Sequence, residues 1–317
     1  MRAESDPAIA VAGLTKRFGP EAAIEDVTFD VKSGEIFGLI GPDGAGKTTI
    51  LRLISGVMAP DAGAVIVAGA DVVAQPESVR DRVSYMPQRF GLYEDLTVDE
   101  NIRFFAEVFA VPGRTREERA ARLLSASGMM AFRKRLAGQL SGGMKQKLGL
   151  ACALVHAPRI VLLDEPTTGV DPVSRREFWE ILYGLRSQGV TMLISTAYFD
   201  EAERCDRLAL LDSGRLRYCE SPSSLRARMP GALLEVQTAD AHAARAVVAG
   251  LSGVVSVLMV GEGLHVHADD AAAGPRIAQA LDARQVAHGD IHQVTPGVED
   301  LYVALLGSDA SRGEASP

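Results

Sequence analysis

The chain has 317 residues, 47% of them hydrophobic and 23% charged, which is enough to form the cores of two domains. Its net charge of -8 argues against binding to nucleic acid, because gripping a phosphate backbone requires a basic face. The most apolar stretch, Leu148 to Val155, is far shorter than the ~20 residues that span a bilayer, so we expect no membrane span. Three cysteines without metal-ligand spacing predict free thiols in a reducing compartment.

Short apolar runs alternate with helical patterns over roughly the first 225 residues, which predicts an α/β fold. Alternating segments predict a small antiparallel sheet over 9–14, 24–31 and 64–67. Continuous apolar runs predict the buried strands of a parallel sheet over 36–40, 160–163 and 191–195. Helical patterns cover 47–53, 101–110, 117–126, 175–188 and 199–205, and the region from about 97 to 155 is predicted to be mostly helical.

The composition changes after Leu225, where alanine and valine dominate. The pattern that follows predicts the order β-α-β-β-α-β, over 233–238, 241–251, 254–260, 264–268, 276–283 and 289–294, with a closing helix over 298–306. This order is typical of a small α+β ferredoxin-like domain. We therefore predict one domain over 1–225, an accessory domain over 226–307 and a disordered tail over 308–317. His265 and His267 alternate on one strand, and a solvated strand face is favoured over a metal pair.

The first chemical motif follows the strand that ends at Ile40 and has the pattern G-x-x-x-x-G-K-[ST]. Its residues are Gly41, Pro42, Asp43, Gly44, Ala45, Gly46, Lys47 and Thr48. Glycines allow backbone N–H groups to turn around phosphates, and a helix that begins near Lys47 adds the positive end of its dipole. Lys47 is expected to reach the β- and γ-phosphates and Thr48 to ligate magnesium.

The second motif is an acidic pair, Asp164 and Glu165, at the end of the apolar strand 160–163. Acidic side chains at such a position are costly unless they serve a cation, although a solvated strand end is the simpler alternative. We expect Asp164 to hold magnesium and Glu165 to polarise the attacking water.

The third motif is Leu140-Ser141-Gly142-Gly143-Met144-Lys145-Gln146, which ends shortly before the acidic pair. A Ser-Gly-Gly turn that opens a helix offers N–H groups and a hydroxyl to an anion. Taken alone, the same segment also fits an ordinary N-capped helix.

Together these three motifs resemble the ATP-binding cassette (ABC) family over roughly residues 8 to 225. The resemblance implies a P-loop ATPase cassette with an antiparallel β subdomain and a helical subdomain, and it adds Thr49 to the ATP-binding set. It also implies a head-to-tail dimer, in which ATP lies between the P-loop of one cassette and Ser141, Gly142 and Gly143 of the other. The cassettes would be peripheral on the cytoplasmic face of the membrane and drive a separate transmembrane permease.

The resemblance assigns roles to three further residues. Phe18 lies where the family stacks an aromatic ring on adenine, and a core phenylalanine is the alternative. Gln88, in Tyr-Met-Pro-Gln, matches the glutamine that contacts magnesium and communicates with the membrane subunit. Asp171 matches the loop that crosses the dimer interface.

Two segments resemble the drug-export branch of the daunorubicin-resistance type: Gly91 to Thr97 after the glutamine, and Thr295 to Leu301 near the C-terminus. One position departs seriously from the pattern, because Ala197 stands where the family has a histidine that touches the γ-phosphate. We expect an exporter ATPase whose cargo is a drug or a lipid-like molecule, and the missing histidine predicts slow hydrolysis. The alternatives are a hydrolysis-impaired regulatory half of a heterodimer and a cassette protein that does not transport.

Overall fold

The computed structural model describes residues 6–304. Within that range, residues 6–197 together with 205–219 form one compact unit, and residues 198–204 together with 220–304 form another. The predicted tail over 308–317 lies outside the described residues, as does the end of the predicted closing helix. The predicted domain boundary after residue 225 stays a prediction.

Ten strands and six helices make up most of the first unit. The strands are β1 (Ile9–Phe18), β2 (Glu21–Val31), β3 (Ile36–Ile40), β4 (Ala62–Val67), β5 (Ala70–Asp71), β6 (Val83–Met86), β7 (Ile160–Asp164), β8 (Thr191–Thr196), β9 (Arg207–Asp212) and β10 (Arg215–Glu220). The helices are α1 (Lys47–Ile54), α2 (Pro76–Arg80), α3 (Val98–Val108), α4 (Gly113–Ala126), α5 (Gly142–Leu154) and α6 (Pro172–Ser187).

A six-stranded sheet in the order β10-β9-β3-β8-β7-β6 is the frame of this unit, and the strands from β9 to β6 pair in parallel. Because side chains alternate across a strand, Ile160 and Leu162 of β7 enter one core while Val161 and Leu163 enter another. The first core lies against α1 and the antiparallel sheet β2-β1-β4-β5, and the second lies against α5 and α6. The predicted antiparallel β subdomain is thereby confirmed.

The helical subdomain packs α3, α4 and α5 around a third core. Helix α3 begins three residues before the predicted start, because Thr97 and Glu100 form a reciprocal capping box there. Helix α6 likewise begins at Pro172, after the cap residue Asp171. Within residues 6–304, no helix is long and apolar enough to cross a bilayer.

The second unit contains four strands and four helices with assigned bounds. They are α7 (Phe199–Ala202), α8 (Pro222–Arg226), β11 (Ala232–Gln237), α9 (Ala241–Val248), β12 (Val254–Val260), β13 (Gly263–Ala268), α10 (Ala273–Ala283) and β14 (Ile291–Val294). Residues 298–304 are also helical. The predicted helix over 199–205 is thus shorter than expected.

The antiparallel sheet of this unit has the order β12-β13-β11-β14, and one of its faces packs on α9 and α10. The observed β-α-β-β-α-β order is the predicted one, while its assignment as ferredoxin-like stays a prediction. The prediction of a solvated face is wrong for His267, which is buried, and holds in part for His265, which is partly exposed. His267 is 3% exposed and its Nε2 lies 2.7 Å from the Pro230 carbonyl oxygen, and His265 Nδ1 lies 2.8 Å from Asp300 Oδ1.

Candidate functional site

The glycine-rich loop connects β3 to α1, at the carboxyl edge of the parallel sheet. Gly44 and Gly46 have φ values of 81° and 98°, which favour glycine. A Cβ on Gly46 would lie 2.5 Å from Ile24 Cγ2 and 2.7 Å from the Ala23 carbonyl oxygen, so no side chain fits there. The loop therefore keeps its backbone close to β2 and presents the amino end of α1, an arrangement that suits phosphate groups.

Lys47, the first residue of α1, is a buried cation with only 4% of its side chain exposed. Its Nζ donates hydrogen bonds to the carbonyl oxygens of Gly41 (2.8 Å) and Pro42 (3.0 Å). It also lies 3.4 Å from Glu165 Oε1. The loop and the acidic pair, predicted separately from sequence, therefore meet at this ammonium group.

Asp164 ends β7 and is 1% exposed. Its Oδ1 accepts hydrogen bonds from Ser195 Oγ (2.7 Å) and Thr48 Oγ1 (3.0 Å), and its Oδ2 accepts one from the Tyr85 hydroxyl (3.0 Å). Burial, and next the charge of Asp164, raise the pKa of Tyr85 to about 12, so the hydroxyl remains a donor at neutral pH. Since the Thr48 hydrogen goes to Asp164, the lone pairs of Thr48 Oγ1 stay available to a cation.

Glu165 follows with a φ of 47°, a left-handed conformation that is unusual for a residue with a side chain. Its N–H donates to the Ser195 carbonyl oxygen (3.1 Å) and to Ser195 Oγ (2.9 Å). Its Oε2 accepts hydrogen bonds from Gln88 Nε2 (2.9 Å) and Thr168 Oγ1 (3.3 Å). The backbone turn thus separates the two carboxylates: Asp164 contacts Thr48, whereas Glu165 contacts Lys47 and Gln88.

The signature residues and Asp171 form a second group, built on the amino ends of α5 and α6. Ser141 caps α5 by accepting a hydrogen bond from the Met144 N–H at 3.3 Å. A Cβ on Gly143 would lie 2.5 Å from Ser174 Cβ, so glycine allows α5 to approach α6 closely. The alternative of an N-capped helix therefore describes this segment correctly, and it leaves the N–H groups of the turn at an exposed helix end.

Asp171 is the cap residue of α6, and its Oδ1 accepts hydrogen bonds from the N–H groups of Val173 (3.1 Å) and Ser174 (3.0 Å). Hydrogen bonds from Ser174, first from its backbone and then from its side chain, lower the pKa of Asp171. The carboxylate therefore fixes the start of α6 beside the signature turn.

Phe18 lies at the end of β1 and is 53% exposed, so the alternative of a core phenylalanine is wrong. Ala197 follows β8 and is half-buried, and alanine offers no side-chain polar atom. The side chains of Tyr85, Ser195 and Thr168 were missed from the sequence, although all three contact the acidic pair. Ser195 could have been noticed in the sequence, because it is a polar residue within a buried strand. In the structure it pairs directly with Asp164 across β7 and β8.

Comparison with known proteins agrees with this geometry. The family model described as ABC transporter matches residues 24–168. The daunorubicin resistance ATP-binding protein DrrA2 of Streptomyces coeruleorubidus is 34% identical to this chain, and the match covers 97% of this chain and 98% of DrrA2. The chain belongs to the ATP-binding subunits of ABC transporters. This family includes the probable multidrug ABC transporter ATP-binding protein YbhF of Escherichia coli, which is 39% identical over 96% of this chain.

The cassette fold is shared with solved structures as well. The dimeric structure of MJ0796, a bacterial ABC transporter cassette, superposes with a TM-score of 0.61 and 27% identity, covering 67% of this chain and 98% of that one. The present ABC subunit spans only about half (53%) of the length of YbhF, whereas it spans nearly the whole length of DrrA2.

Proposed function

We propose that this chain binds ATP with Mg²⁺, hydrolyses it, and drives a separate membrane subunit of an exporter. One observation carries the proposal: the phosphate loop and the acidic pair are in contact, through Thr48 and Asp164 (3.0 Å) and through Lys47 and Glu165 (3.4 Å). This juxtaposition supports a site in which Lys47 would bind phosphate, Thr48 would bind magnesium and the two carboxylates would serve the reaction.

The donor set fits magnesium, which prefers oxygen ligands and binds through one or two carboxylates and phosphates. We assign Thr48, Asp164 and the side-chain oxygen of Gln88 to that ion, which when bound neutralises charge on phosphate oxygens. Lys47 would bind the terminal phosphates together with the loop N–H groups from Gly41 to Thr49. Glu165 would accept the proton of the attacking water, and its contact with Gln88 orients it for that task.

We assign base stacking to the exposed ring of Phe18. Ser141, Gly142 and Gly143 would contact ATP held by a second cassette, with Asp171 at the same interface. The head-to-tail dimer is supported by the exposed helix end at Ser141 and by the dimeric cassette structure named above. The second cassette is either a copy of this chain, in a homodimer, or a different cassette, in a heterodimer.

Export, rather than import, is supported by the multidrug and daunorubicin-resistance relatives. We accordingly propose a drug or lipid-like cargo, a transmembrane permease as partner and a position on the cytoplasmic face of the membrane. The direct test is to purify the chain alone and together with a candidate transmembrane permease. The proposal is supported if the reconstituted complex releases phosphate in a magnesium-dependent reaction that cargo stimulates. It is contradicted if neither preparation releases phosphate.

The hydrolysis-impaired half is the second candidate; it rests on Ala197, and the relatives named above do not favour it. The retained Glu165, with its complete set of contacts, favours an active site with slow turnover over an inactive one. A cassette protein without transport is less well supported, since the relatives named are transporter subunits.

A further inference from the structure

Strand β6 and the segment after it contact both members of the acidic pair. The Tyr85 hydroxyl donates to Asp164 at 3.0 Å, and three residues later Gln88 donates to Glu165 at 2.9 Å. The contact of Gln88 belongs to the function already proposed. The contact of Tyr85 does not, because no motif in the sequence assigned a role to this residue.

The hydrogen bonds to Asp164 divide between its two oxygens. Thr48 and Ser195 both donate to Oδ1, and Tyr85 donates to Oδ2. Asp164 is 1% exposed, so bulk water has little access to replace a lost donor. A buried carboxylate oxygen that loses its donor costs free energy, and a carboxylate held on one oxygen alone turns more freely about its Cβ–Cγ bond.

The direction of the Tyr85 hydrogen bond is also fixed by its partner. That partner, Asp164 Oδ2, is a carboxylate oxygen, and a carboxylate oxygen accepts hydrogen bonds. The tyrosine hydroxyl therefore supplies the hydrogen of this bond. Tyr85 therefore joins strand β6 to the end of β7.

We propose that Tyr85 is a positioning residue of the magnesium site, whose hydroxyl holds Asp164 Oδ2 and thereby keeps Oδ1 turned towards Thr48. The role rests on the proposed ATP-binding function. Partners of this kind, which contact a metal ligand rather than the metal, commonly contribute about 10- to 100-fold to metal affinity.

The experiment measures binding of a fluorescent ATP analogue to the full chain at a series of buffered free Mg²⁺ concentrations and in EDTA. The variants are Tyr85→Phe, which removes only the hydroxyl, and Tyr93→Phe, a matched control on an exposed ring that packs against Phe104. We expect the half-saturating Mg²⁺ concentration to rise about tenfold in Tyr85→Phe. Binding in EDTA should equal that of the wild type, and Tyr93→Phe should be unchanged in both conditions.

Each other outcome overturns the role. If the half-saturating Mg²⁺ concentration of Tyr85→Phe is unchanged or lower, the hydroxyl does not position the magnesium ligand. If the variant loses binding in EDTA as well, Tyr85 supports the fold of the loop rather than the metal site. A wild-type chain that binds no nucleotide refutes the proposed function and this role with it, whereas a binding wild type with an identical variant refutes the role of Tyr85 alone.

Discussion

Replacing Glu165 with glutamine tests the chemical assignment most directly, because the change preserves the shape of the side chain. The carboxylate contacts Lys47 at 3.4 Å, Gln88 at 2.9 Å and Thr168 at 3.3 Å. A glutamine can keep its oxygen towards Gln88 and Thr168, which places its NH₂ group towards Lys47. The change therefore removes one negative charge and leaves two of three contacts possible.

The expected magnitude differs for binding and for turnover. The attraction between Lys47 and Glu165 is about 5 kcal/mol at 3.4 Å and an effective dielectric constant of about 20, before the cost of desolvation. Removing the carboxylate frees Lys47 for phosphate, so ATP binding should be equal or tighter. A glutamine amide does not accept a proton from water at neutral pH, so turnover should fall by about 10²–10⁴-fold.

Phosphate release and nucleotide binding are measured on the same preparation of Glu165→Gln. The matched control is Glu107→Gln, which removes an exposed carboxylate that pairs with Arg116 at 3.0 Å, and it should keep wild-type turnover. The ATP-bound dimer should accumulate in Glu165→Gln, visible as an earlier peak in size-exclusion chromatography. A turnover rate near that of the wild type would refute the reasoning, since another residue must then activate the water.

Three further changes test other parts of the site. Lys47→Ala should weaken ATP binding at least tenfold by calorimetry, because charge-assisted contacts to phosphate are lost, whereas Lys134→Ala, at an exposed position outside the site, should not. Gly143→Ala should lower the free energy of unfolding by about 1–3 kcal/mol, measured by thermal unfolding, since the new Cβ would lie 2.5 Å from a serine side chain of α6. Gly142→Ala is the control and should have little effect, because its Cβ would lie 3.8 Å from the nearest atom. Ala197→His should raise phosphate release by about 10²-fold if it restores a preorganised donor, and an unchanged rate would contradict the slow-site interpretation.

The core of the site was predictable because its signals are local in sequence. Lys47 and Thr48 follow a buried strand in a fixed glycine pattern, and Asp164 and Glu165 end another, so each motif carries its own structural context. Parallel strands end at the same edge of a sheet, which brings the two motifs together once both strands are assigned.

Other contacts depended on register and packing, which the sequence does not display. Tyr85 lies on β6, a strand of four residues that is too short for a clear pattern, and its partner is 79 positions away. His267 was misjudged because an alternating polar residue on a strand resembles a solvated face. Its polar partner, the Pro230 carbonyl, lies 37 positions earlier in the chain.

Strand β7 belongs to two hydrophobic cores at once, and this places an unusual demand on a short segment. Ile160 and Leu162 fill the core under α1, while Val161 and Leu163 fill the core under α5 and α6, and all four are at most 1% exposed. Close-packed interiors transmit a change of volume to their neighbours. A cavity made on either side of this strand would therefore shift the same pair of carboxylates. Substitutions in two separate cores of the cassette would thus change the position of Asp164 and Glu165.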